Sequence, residues 1–472
     1  MKIIDRLYPV LDIKLFFPLG ELFLKSSILS DYEFLMKTDW CTREELDNLQ
    51  NQLLRNLIKH CYEKVPYYRE LLDSLKLKPE NIQTKEDLLK LPILTKKIIR
   101  ENFDKLISID YEKRKTKIHS TGGSTGTPLQ FLTDLKTWSM SWAATLRAWN
   151  WYGFNLGEKI FTLAGNSLVS KKKLITKNKI FNKYLFRNFK FNSYGMKETD
   201  MEIYYKNFMK IKPSAIRGYP SSIYIFAKYI QDNRLKIYPV KMILTTGEVL
   251  LSEYRSKIQE VFQAPVFDNY GAGDGGIATH ECYMHEGLHI AEEKAIIQIC
   301  DKEGRLLKDG EIGNVIVTDL HNYVFPFIRY EVGDFAVMKR GFCSCGRKSK
   351  LLGEVLGRSG RLLYNKNGEP ISPTMLPVLL YPYLDYESYE NQVTYNKIDK
   401  FQIQQDEKGD LSILLKMKKK EDEIFEKYSY VIENYEKVFV NSKINLFFVD
   451  EIPPLPSGKE DYVVSNFNIF GD

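Results

Sequence analysis

Residues 120 to 128 read Ser120-Thr121-Gly122-Gly123-Ser124-Thr125-Gly126-Thr127-Pro128, a run in which hydroxyl side chains alternate with glycines. Glycines let backbone N–H groups approach a phosphate closely, and the hydroxyls supply further hydrogen-bond donors. The run is not a Walker A loop, because no Gly-Lys-Ser/Thr follows it. We therefore predict a phosphate-binding loop here, and a flexible surface loop is the alternative.

The apolar runs that follow this loop have the length of strands and alternate with helical patterns. The strand-like runs span residues 159–164, 240–246, 265–270, 294–300 and 314–320, and the helical ones span 42–62, 221–232 and 252–262. Such alternation predicts an α/β fold with some parallel sheet. No helix separates the runs between 294 and 320, so we expect an antiparallel portion there.

The length predicts more than one domain. The chain has 472 residues, and single cores rarely grow beyond ~250–300 residues. We expect a large, multi-layered N-terminal domain with mixed sheets over residues 1–356, a hinge at 357–360 (Gly-Arg-Ser-Gly), and a small, mobile α+β domain over 361–472.

Composition excludes several classes of protein. The net charge is +7, and six cysteines are too few for a disulfide scaffold of this length. A mild charge without a long basic run does not support a nucleic-acid binder. Charges and prolines interrupt the apolar stretch 7–24, so we predict no transmembrane segment and a cytoplasmic protein. We expect that stretch to form an amphipathic cap packed on the core, and contact with a membrane surface is the alternative.

A second motif, residues 268–274, reads Asp-Asn-Tyr-Gly-Ala-Gly-Asp after a strand. The ring of Tyr270 could stack on a nucleobase, and Asp274 could hold a metal ion. Gly271, Gly273 and Gly276 also match the dinucleotide fingerprint G-x-G-x-x-G, which would indicate a dehydrogenase. We reject that interpretation, because no helical period follows and the motif does not open a strand–helix–strand unit.

Two shorter motifs have a chemical interpretation and an ordinary one. In residues 329–334, Arg-Tyr-Glu-Val-Gly-Asp, Asp334 could accept hydrogen bonds from both ribose hydroxyls, although the segment alone is an ordinary turn. In residues 456–459, Pro-Ser-Gly-Lys, an isolated Lys459 is most simply an exposed loop lysine.

Cysteine and histidine residues form a separate pattern. Cys282 and His285 are spaced C-x-x-H, and Cys343 and Cys345 are spaced C-x-C about sixty residues later. Four such ligands in two clusters suit tetrahedral, structural zinc, with His280 and His289 as nearby alternatives to His285. Inert buried cysteines are the other interpretation.

The motifs at 120–128, 270–274, 329–334 and 357–358, followed by Lys459, resemble in this order the adenylate-forming superfamily. The segments 60–69, 218–222 and 287–290 look most like its phenylacetate–CoA ligase branch, which includes CapK-type capsular polysaccharide biosynthesis proteins. The resemblance implies an AMP-forming acid–thiol ligase. A carboxylate attacks the α-phosphorus of ATP to give an acyl-adenylate and pyrophosphate, and a nucleophile, usually the CoA thiol, then takes the acyl group.

The resemblance also implies roles for individual residues. The loop Thr121–Thr127 would hold the β- and γ-phosphates, Tyr270 would stack on adenine, Asp268 would accept from its exocyclic amine, and Asp334 would bind the ribose. The remainder of the nucleotide pocket would comprise Thr246, Gly247 and Gly271. Asp274 would sit at Mg²⁺, Arg358 would reach nucleotide oxygens from the hinge, and Lys459 would offset charge as the adenylate forms.

Two positions depart from the family pattern, and the sequence does not identify the carboxylic acid that is activated. The family usually has Glu at position 274, so Asp retracts the carboxylate by roughly 1.5 Å, and Gly360 stands where Asp or Lys is common. By analogy Trp142, Tyr219, Pro220 and Thr246 lie near the acyl group, and nothing selects an aryl acid, an amino acid or a sugar-linked carboxylate. The alternative functions are transfer of the acyl group to an amine, by an amide ligase in surface polysaccharide biosynthesis, and a non-catalytic nucleotide-binding member of the family.

Overall fold

The computed structural model of the chain describes residues 8–9, 11–120, 129–164, 186–193, 198–356, 363–367, 370–371, 376–380, 397–417, 419–420, 425–452 and 463–465. The helices are α1 (Phe17–Leu24), α2 (Ile28–Thr38), α3 (Arg43–Lys64), α4 (Pro66–Ser74), α5 (Lys96–Glu101), α6 (Phe103–Leu106), α7 (Leu135–Trp151), α8 (Glu198–Ile211), α9 (Pro220–Asp232), α10 (Ser252–Phe262), α11 (Leu376–Leu379) and α12 (Ser429–Glu436). A π-helical turn, Asp12–Phe16, leads into α1, and short 3₁₀ turns lie at Pro79–Asn81, Asp87–Lys90, Tyr111–Lys113 and Phe425–Tyr428.

The strands of the first large part of the chain are β1 (Thr116–Ser120), β2 (Gln130–Asp134), β3 (Ile160–Ala164), β4 (Asn188–Asn192), β5 (Ala215–Gly218), β6 (Met242–Thr245), β7 (Val266–Phe267), β8 (Asn269–Ala272), β9 (Ile277–His280), β10 (Leu288–Ile290), β11 (Ala295–Cys300), β12 (Ile312–Asp319), β13 (Tyr330–Met338) and β14 (Leu351–Leu356). Those that follow are β15 (Leu363–Tyr364), β16 (Pro370–Ile371), β17 (Ile398–Gln405), β18 (Leu411–Met417), β19 (Ile444–Phe448) and β20 (Val463–Ser465).

A five-stranded parallel sheet has the order β4-β3-β5-β6-β7. Its strands are short, apolar runs such as Ile160–Ala164, which is buried throughout, as expected for a sheet covered on both faces. One face packs against α8, α9 and α10 through residues such as Phe208, Phe226 and Ile258. The other face packs against α7 and the N-terminal helices through residues such as Trp149 and Phe17.

A seven-stranded antiparallel sheet has the order β11-β12-β13-β14-β10-β9-β8, which confirms the predicted antiparallel portion. Its core is shared with α3, whose capping box at Thr42 and Glu45 fixes the first turn. A single residue, Asp268, joins the last strand of the parallel sheet to the first strand of this one. The fold is therefore the predicted α/β class, with separate parallel and antiparallel layers.

The described residues after Leu363 have their own sheet and core. The order is β19-β18-β17-β20, with β17 and β18 antiparallel and the two outer strands parallel to their neighbours. The core gathers apolar side chains such as Ile403, Ile413 and Tyr435. Within the described part of the chain, no buried apolar cluster combines residues from before 357 with residues from after 362.

The N-terminal stretch is helical and packs on the core through Phe17 as predicted, but most of its large apolar side chains face outward. From Leu11 to Phe23, seven large apolar side chains are exposed, and Leu22 is 78 % exposed. The inward face holds Phe17 together with the carboxylates of Asp12 and Glu21. Glu21 accepts hydrogen bonds from the first N–H groups of α2, including that of Leu29, so a buried carboxylate lies on the inward face of the helix. No helix in the described residues is long and apolar enough to cross a membrane.

Candidate functional site

Three of the predicted site residues, Tyr219, Thr246 and Asp268, directly follow strands β5, β6 and β7 at the carboxyl edge of the parallel sheet, where α/β sheets bind ligands. The loop after β5 and the loop after β6 are tied together at this edge. The N–H of Thr246 donates to the carbonyl of Gly218 at 3.1 Å, and the N–H of Ser221 donates to Glu248 Oε2 at 3.1 Å. Gly218 cannot be replaced, since an added Cβ would lie 2.1 Å from the Leu163 carbonyl oxygen.

Asp268 is held at the junction between the two sheets. Its Oδ1 accepts from Thr245 Oγ1 at 2.7 Å, and its backbone N–H donates to Glu281 Oε2 at 2.8 Å. Glu281 is fixed in turn by two hydrogen bonds from Arg255, at 2.8 and 3.0 Å. Burial is the main cause that raises the pKa of Asp268 to about 6, and the Glu281 carboxylate adds to it.

Tyr270 and Asp334 are 64 residues apart in sequence and meet in space. The Tyr270 hydroxyl donates to Asp334 Oδ2 at 2.9 Å. Both side chains are half-buried. The structure therefore places an aromatic ring and a carboxylate, the two groups predicted for adenine and ribose, side by side.

Asp274 lies on a tight turn and accepts a hydrogen bond from the Tyr330 hydroxyl at 2.8 Å. The turn packs closely on the antiparallel sheet, because a Cβ on Gly275 would lie 2.4 Å from Val317. The segment after this turn is β9, which pairs antiparallel with β8 through registers such as Gly271 with Ala278. A helix would have to begin there in a dinucleotide fold, so the rejection of the dehydrogenase interpretation is confirmed.

Three parts of the predicted machinery lie outside the described residues. They are the loop Thr121, Gly122, Gly123, Ser124, Thr125, Gly126 and Thr127, the hinge residues 357–360 with Arg358, and the segment that carries Lys459. Strand β1 ends at Ser120 and β2 begins at Gln130, so the two strands lead into and out of the predicted phosphate loop.

The residues predicted near the acyl group are placed by α7 and by the loops after β5 and β6. Tyr219 is buried, and Pro220 is the first residue of α9. Gly247 has φ +82°, and an added Cβ would lie 2.8 Å from Tyr219 Cε1. Trp142 projects from α7 towards the face of the parallel sheet, where its ring lies 6.0 Å from the Arg217 guanidinium.

Sequence reasoning missed the polar side chains beneath α7. A cavity of ≈ 20 Å³ there is lined by residues that include Trp149, Arg217, Asp268 and His280. Burial, with a contribution from the charges of Arg147 and Arg217, lowers the pKa of His280 to about 3, so the imidazole is neutral. The signal that could have indicated this site is an imbalance of charge: residues 159–197 contain ten Lys and Arg and no Asp or Glu.

A separate cluster of sulfur and nitrogen ligands comprises Cys282, His289, Cys343 and Cys345, whose ligand atoms all lie within 4.8 Å of one another. Cys282 Sγ lies 3.5 Å from Cys343 Sγ, and Cys345 Sγ lies 3.5 Å from His289 Nε2. Zn–S bonds of ~2.3 Å in a tetrahedron require ligand separations of roughly 3.8 Å, so the donor set and its spacing fit zinc. His289 Nδ1 contacts Ser349 Oγ at 2.8 Å, which leaves Nε2 directed at the three sulfurs.

The cluster corrects one predicted ligand. His285 is outside it: its Nδ1 lies 3.2 Å from Glu281 Oε2, and its ring stacks on Phe267. The reason is local geometry, since His285 has φ +51° in a turn closed by its N–H onto the Cys282 carbonyl. The turn directs its side chain away, and β10 brings His289 to the sulfurs instead.

Comparison with known proteins finds relatives that are similar in sequence over most of the chain. No protein-family model matches the chain. It is 24 % identical over 454 residues to Protein CapK of Staphylococcus aureus, covering 95 % of both chains. It is 24 % identical over 356 residues to phenylacetate–coenzyme A ligase of Thermus thermophilus, covering 72 % of this chain and 76 % of the relative.

Solved structures agree with this placement at the level of the fold. The structure of 2-hydroxyisobutyryl-CoA ligase, in complex with 2-HIB-AMP and CoA in the thioesterification state, matches with a TM-score of 0.63 and 17 % identity over 92 % of each chain. The relatives and the fold agree with the predicted enzyme class, an AMP-forming acid–thiol ligase. The chain is therefore similar in sequence to CapK and to the phenylacetate–CoA ligases, the branch of the adenylate-forming superfamily that its motifs resemble.

Proposed function

We propose that the protein activates a carboxylic acid with ATP, releases pyrophosphate, and transfers the acyl group from the acyl-adenylate to CoA. The observation that carries the proposal is the contact between Tyr270 and Asp334. It brings together, from two distant strands, a ring that can stack on adenine and a carboxylate that can accept ribose hydroxyls. The names of the relatives support the same chemistry.

The nucleotide would lie across the carboxyl edge of the parallel sheet. Asp268 would accept a hydrogen bond from the exocyclic amine of adenine, and Thr245 fixes the orientation of the Asp268 carboxylate. Thr246, Gly247 and Gly271 would line the pocket, and the loop 121–127 would bind the β- and γ-phosphates through backbone N–H groups and hydroxyls.

Magnesium would be held near Asp274. The fit is reasonable, because the carboxylate is a hard oxygen ligand, is half-buried, and is oriented by the Tyr330 hydroxyl. When bound, the ion would neutralise charge on the phosphate oxygens. The rigid turn that carries Asp274 would compensate for its shorter side chain by fixing the position of the carboxylate.

Lys459 is the residue to which we assign charge stabilisation during adenylation. A lysine acts as a point charge on a flexible stem, so it can approach both the attacking carboxylate and the α-phosphate. Arg358, in the proposed hinge at 357–360, would contact nucleotide oxygens as the proposed C-terminal domain, residues 361–472, changes position between the two half-reactions.

A ligase that transfers the acyl group to an amine is the second candidate. It rests on the resemblance to CapK-type capsular polysaccharide biosynthesis proteins, and the match to CapK spans 95 % of this chain, whereas the match to the Thermus phenylacetate–CoA ligase spans 72 %. The discriminating measurement is AMP release with CoA or with amines as acceptor. Acceleration by CoA alone would exclude the amide ligase.

We also propose that Cys282, His289, Cys343 and Cys345 hold a structural zinc ion. All four positions would be filled by protein, and a catalytic zinc needs one position open. The ion would join the segment between β9 and β10 to the segment between β13 and β14. Glu281, which orients Asp268, immediately precedes the first ligand.

The experiment that tests the proposed function is ATP–pyrophosphate exchange across aryl, aliphatic, amino and dicarboxylic acids. Lys459→Ala serves as the control, and Mg·ATP affinity is measured on the same samples. Exchange that requires both one acid and Lys459 would support adenylation. Absence of exchange together with absence of Mg·ATP binding would instead indicate a non-catalytic protein.

A further inference from the structure

Three hydrogen-bond donors lie together on the face of the parallel sheet that α7 covers. In the strand register Thr162 of β3 is paired with Lys190 of β4 on one side and with Arg217 of β5 on the other, so both cations project from the same face. Asn188 lies two residues before Lys190 on that face, and its Oδ1 accepts from Thr162 Oγ1 at 2.7 Å.

The donors exceed the acceptors in this cluster. Asn188 is 5 % exposed, and its Nδ2 has no hydrogen-bond partner. Among described residues, no carboxylate forms an ion pair with Lys190 or Arg217. The Arg217 guanidinium lies between two indoles, 6.0 Å from Trp142 and 5.8 Å from Trp149. Buried donors without partners are costly, so the arrangement favours an anionic ligand.

The electrostatics agree with this geometry. Burial and the charge of Arg217 lower the pKa of Lys190 to about 8. The single carboxylate among the described residues lining the cavity, Asp268, is already engaged by Thr245. Residues 159–164 and 186–193, the described part of this segment, contribute no Asp or Glu to the sheet.

The cluster adjoins the proposed acyl pocket. Arg217 immediately precedes the Gly218-Tyr219-Pro220 loop and contacts Trp142, which was predicted near the acyl group. The cavity beside it has a volume of ≈ 20 Å³, roughly the room of one or two waters, which is also about what the two oxygens of a carboxylate need. We propose that the enzyme activates a dicarboxylic acid and that Arg217, assisted by Lys190 and Asn188, binds the carboxylate that is not activated. This inference rests on the proposed function.

The test is pyrophosphate exchange with matched acids that differ only at the far end. Hexanedioate is compared with hexanoate, and 4-carboxyphenylacetate with phenylacetate. The variants are Arg217→Gln and Lys190→Gln, and Lys210→Gln removes the same charge from an exposed position as control. A charge-assisted hydrogen bond contributes roughly 1.5–3 kcal/mol, so Arg217→Gln should lower kcat/KM for the diacids about 10- to 100-fold, mainly through KM, and leave the monoacids within about twofold.

Three results would overturn the inference while the proposed function survives. These are a wild-type preference for the monoacids, equal losses for both members of a pair in Arg217→Gln, and a preference for 6-phosphonohexanoate over hexanedioate. Equal losses would mean that Arg217 only positions the two indoles. If no acid supports exchange and Mg·ATP does not bind, the proposed function fails, and calorimetric titration of hexanedioate then tests the carboxylate site by itself: binding that requires Arg217 supports the site, and absence of binding overturns it.

The exposed apolar face of the N-terminal helix carries a second, independent inference. It comprises Leu11, Ile13, Leu15, Phe16, Leu19, Leu22 and Phe23. Lys14 and Lys25 are exposed beside it. The inner side contacts the basic segment 159–197, because Arg187 lies 4.2 Å from the Tyr8 ring and Phe186 contacts Phe17. Apolar side chains flanked by cations are the pattern of a helix lying on an anionic lipid surface.

We propose that this face binds the surface of an anionic bilayer. Co-sedimentation with vesicles of phosphatidylglycerol and phosphatidylcholine should pellet the wild-type protein, and vesicles of phosphatidylcholine alone should pellet much less. The variant Leu19→Gln/Leu22→Gln/Phe23→Gln should lose the binding and keep its melting temperature. Failure to bind anionic vesicles would overturn the proposal. So would a wild-type dimer that the triple variant converts to monomer, because the face would then be covered by a second copy.

Discussion

Replacing one histidine at a time tests the zinc cluster most sharply, because the chain offers a matched pair. His289→Gln removes a nitrogen that lies 3.5 Å from Cys345 Sγ, whereas His285→Gln removes one that contacts only groups outside the cluster, Glu281 and Arg255. We expect one zinc per chain in the wild type and in His285→Gln. We expect substoichiometric zinc in His289→Gln and in Cys343→Ser.

The effect on stability follows from linkage between binding and folding. Zinc present at about 100 to 1,000 times its dissociation constant stabilises the native state by roughly 2.7–4.1 kcal/mol. With an unfolding entropy of about 2.1 cal/mol/K per residue, a domain spanning residues 1–356 shifts its Tm by roughly 1.3 °C per kcal/mol, so loss of the ion should lower Tm by about 4–6 °C. His285 is about one-third exposed, so its replacement should change Tm by less than about 1 °C.

The assays are elemental analysis after dialysis against zinc-buffered solution and a thermal melt of each variant. Cys41→Ser, a cysteine outside the cluster, controls for the Cys-to-Ser change itself. Wild-type protein without zinc would refute the assignment. Loss of zinc in His285→Gln but not in His289→Gln would refute the geometry.

Three further predictions concern stability and the acyl pocket. Burial raises the pKa of Asp12 from 3.8 to about 7, so the fold is destabilised as pH rises between those values. Asp12→Asn should therefore stabilise the protein more at pH 8 than at pH 5, by up to about 3 kcal/mol in urea unfolding. An equal gain in the free energy of unfolding at both pH values would contradict this. Glu293→Gln removes the 2.7 Å ion pair of the buried Arg147 and should lower the free energy of unfolding by about 3–5 kcal/mol. A loss below about 1 kcal/mol would contradict this prediction. Gly247→Ala should displace the Tyr219 ring and raise the KM for the acid about tenfold in the exchange assay; an unchanged KM would remove Tyr219 from the pocket.

The sequence predicted most of the fold because the buried strands are short, continuous apolar runs bounded by turns. The run at 159–164 became β3, and helix 252–262 was predicted to the residue. The run at 265–270 was predicted as one strand but is broken at Asp268, because the chain leaves one sheet for the other there. Periodicity cannot detect that change, since both halves are extended.

The residues of the site were predicted from the sequence, but the residues that orient them were not. Tyr270, Asp274 and Asp334 follow recognisable local motifs, whereas the partners that orient them, Tyr330 and Glu281, are ordinary residues whose role depends on tertiary contacts. The same limit explains His289, which is separated from the nearest cysteine ligand by six residues and reaches it only through the β9–β10 connection. The outward orientation of the apolar side chains in the N-terminal helix could not be predicted, because the sequence pattern does not say which face is inward.

The separate core of residues 363–465 has a practical consequence. Because the segment gathers its own buried side chains, we expect that it can be made as an independent polypeptide and mixed with a fragment ending near residue 356. Acyl activation that returns only when the two fragments are combined would show that both units contribute to the first half-reaction. Calorimetry of the intact chain would then show two melting transitions, one for each unit, and a ligand that occupies the adenine and ribose positions without reaching Lys459 would move the first unit's transition alone.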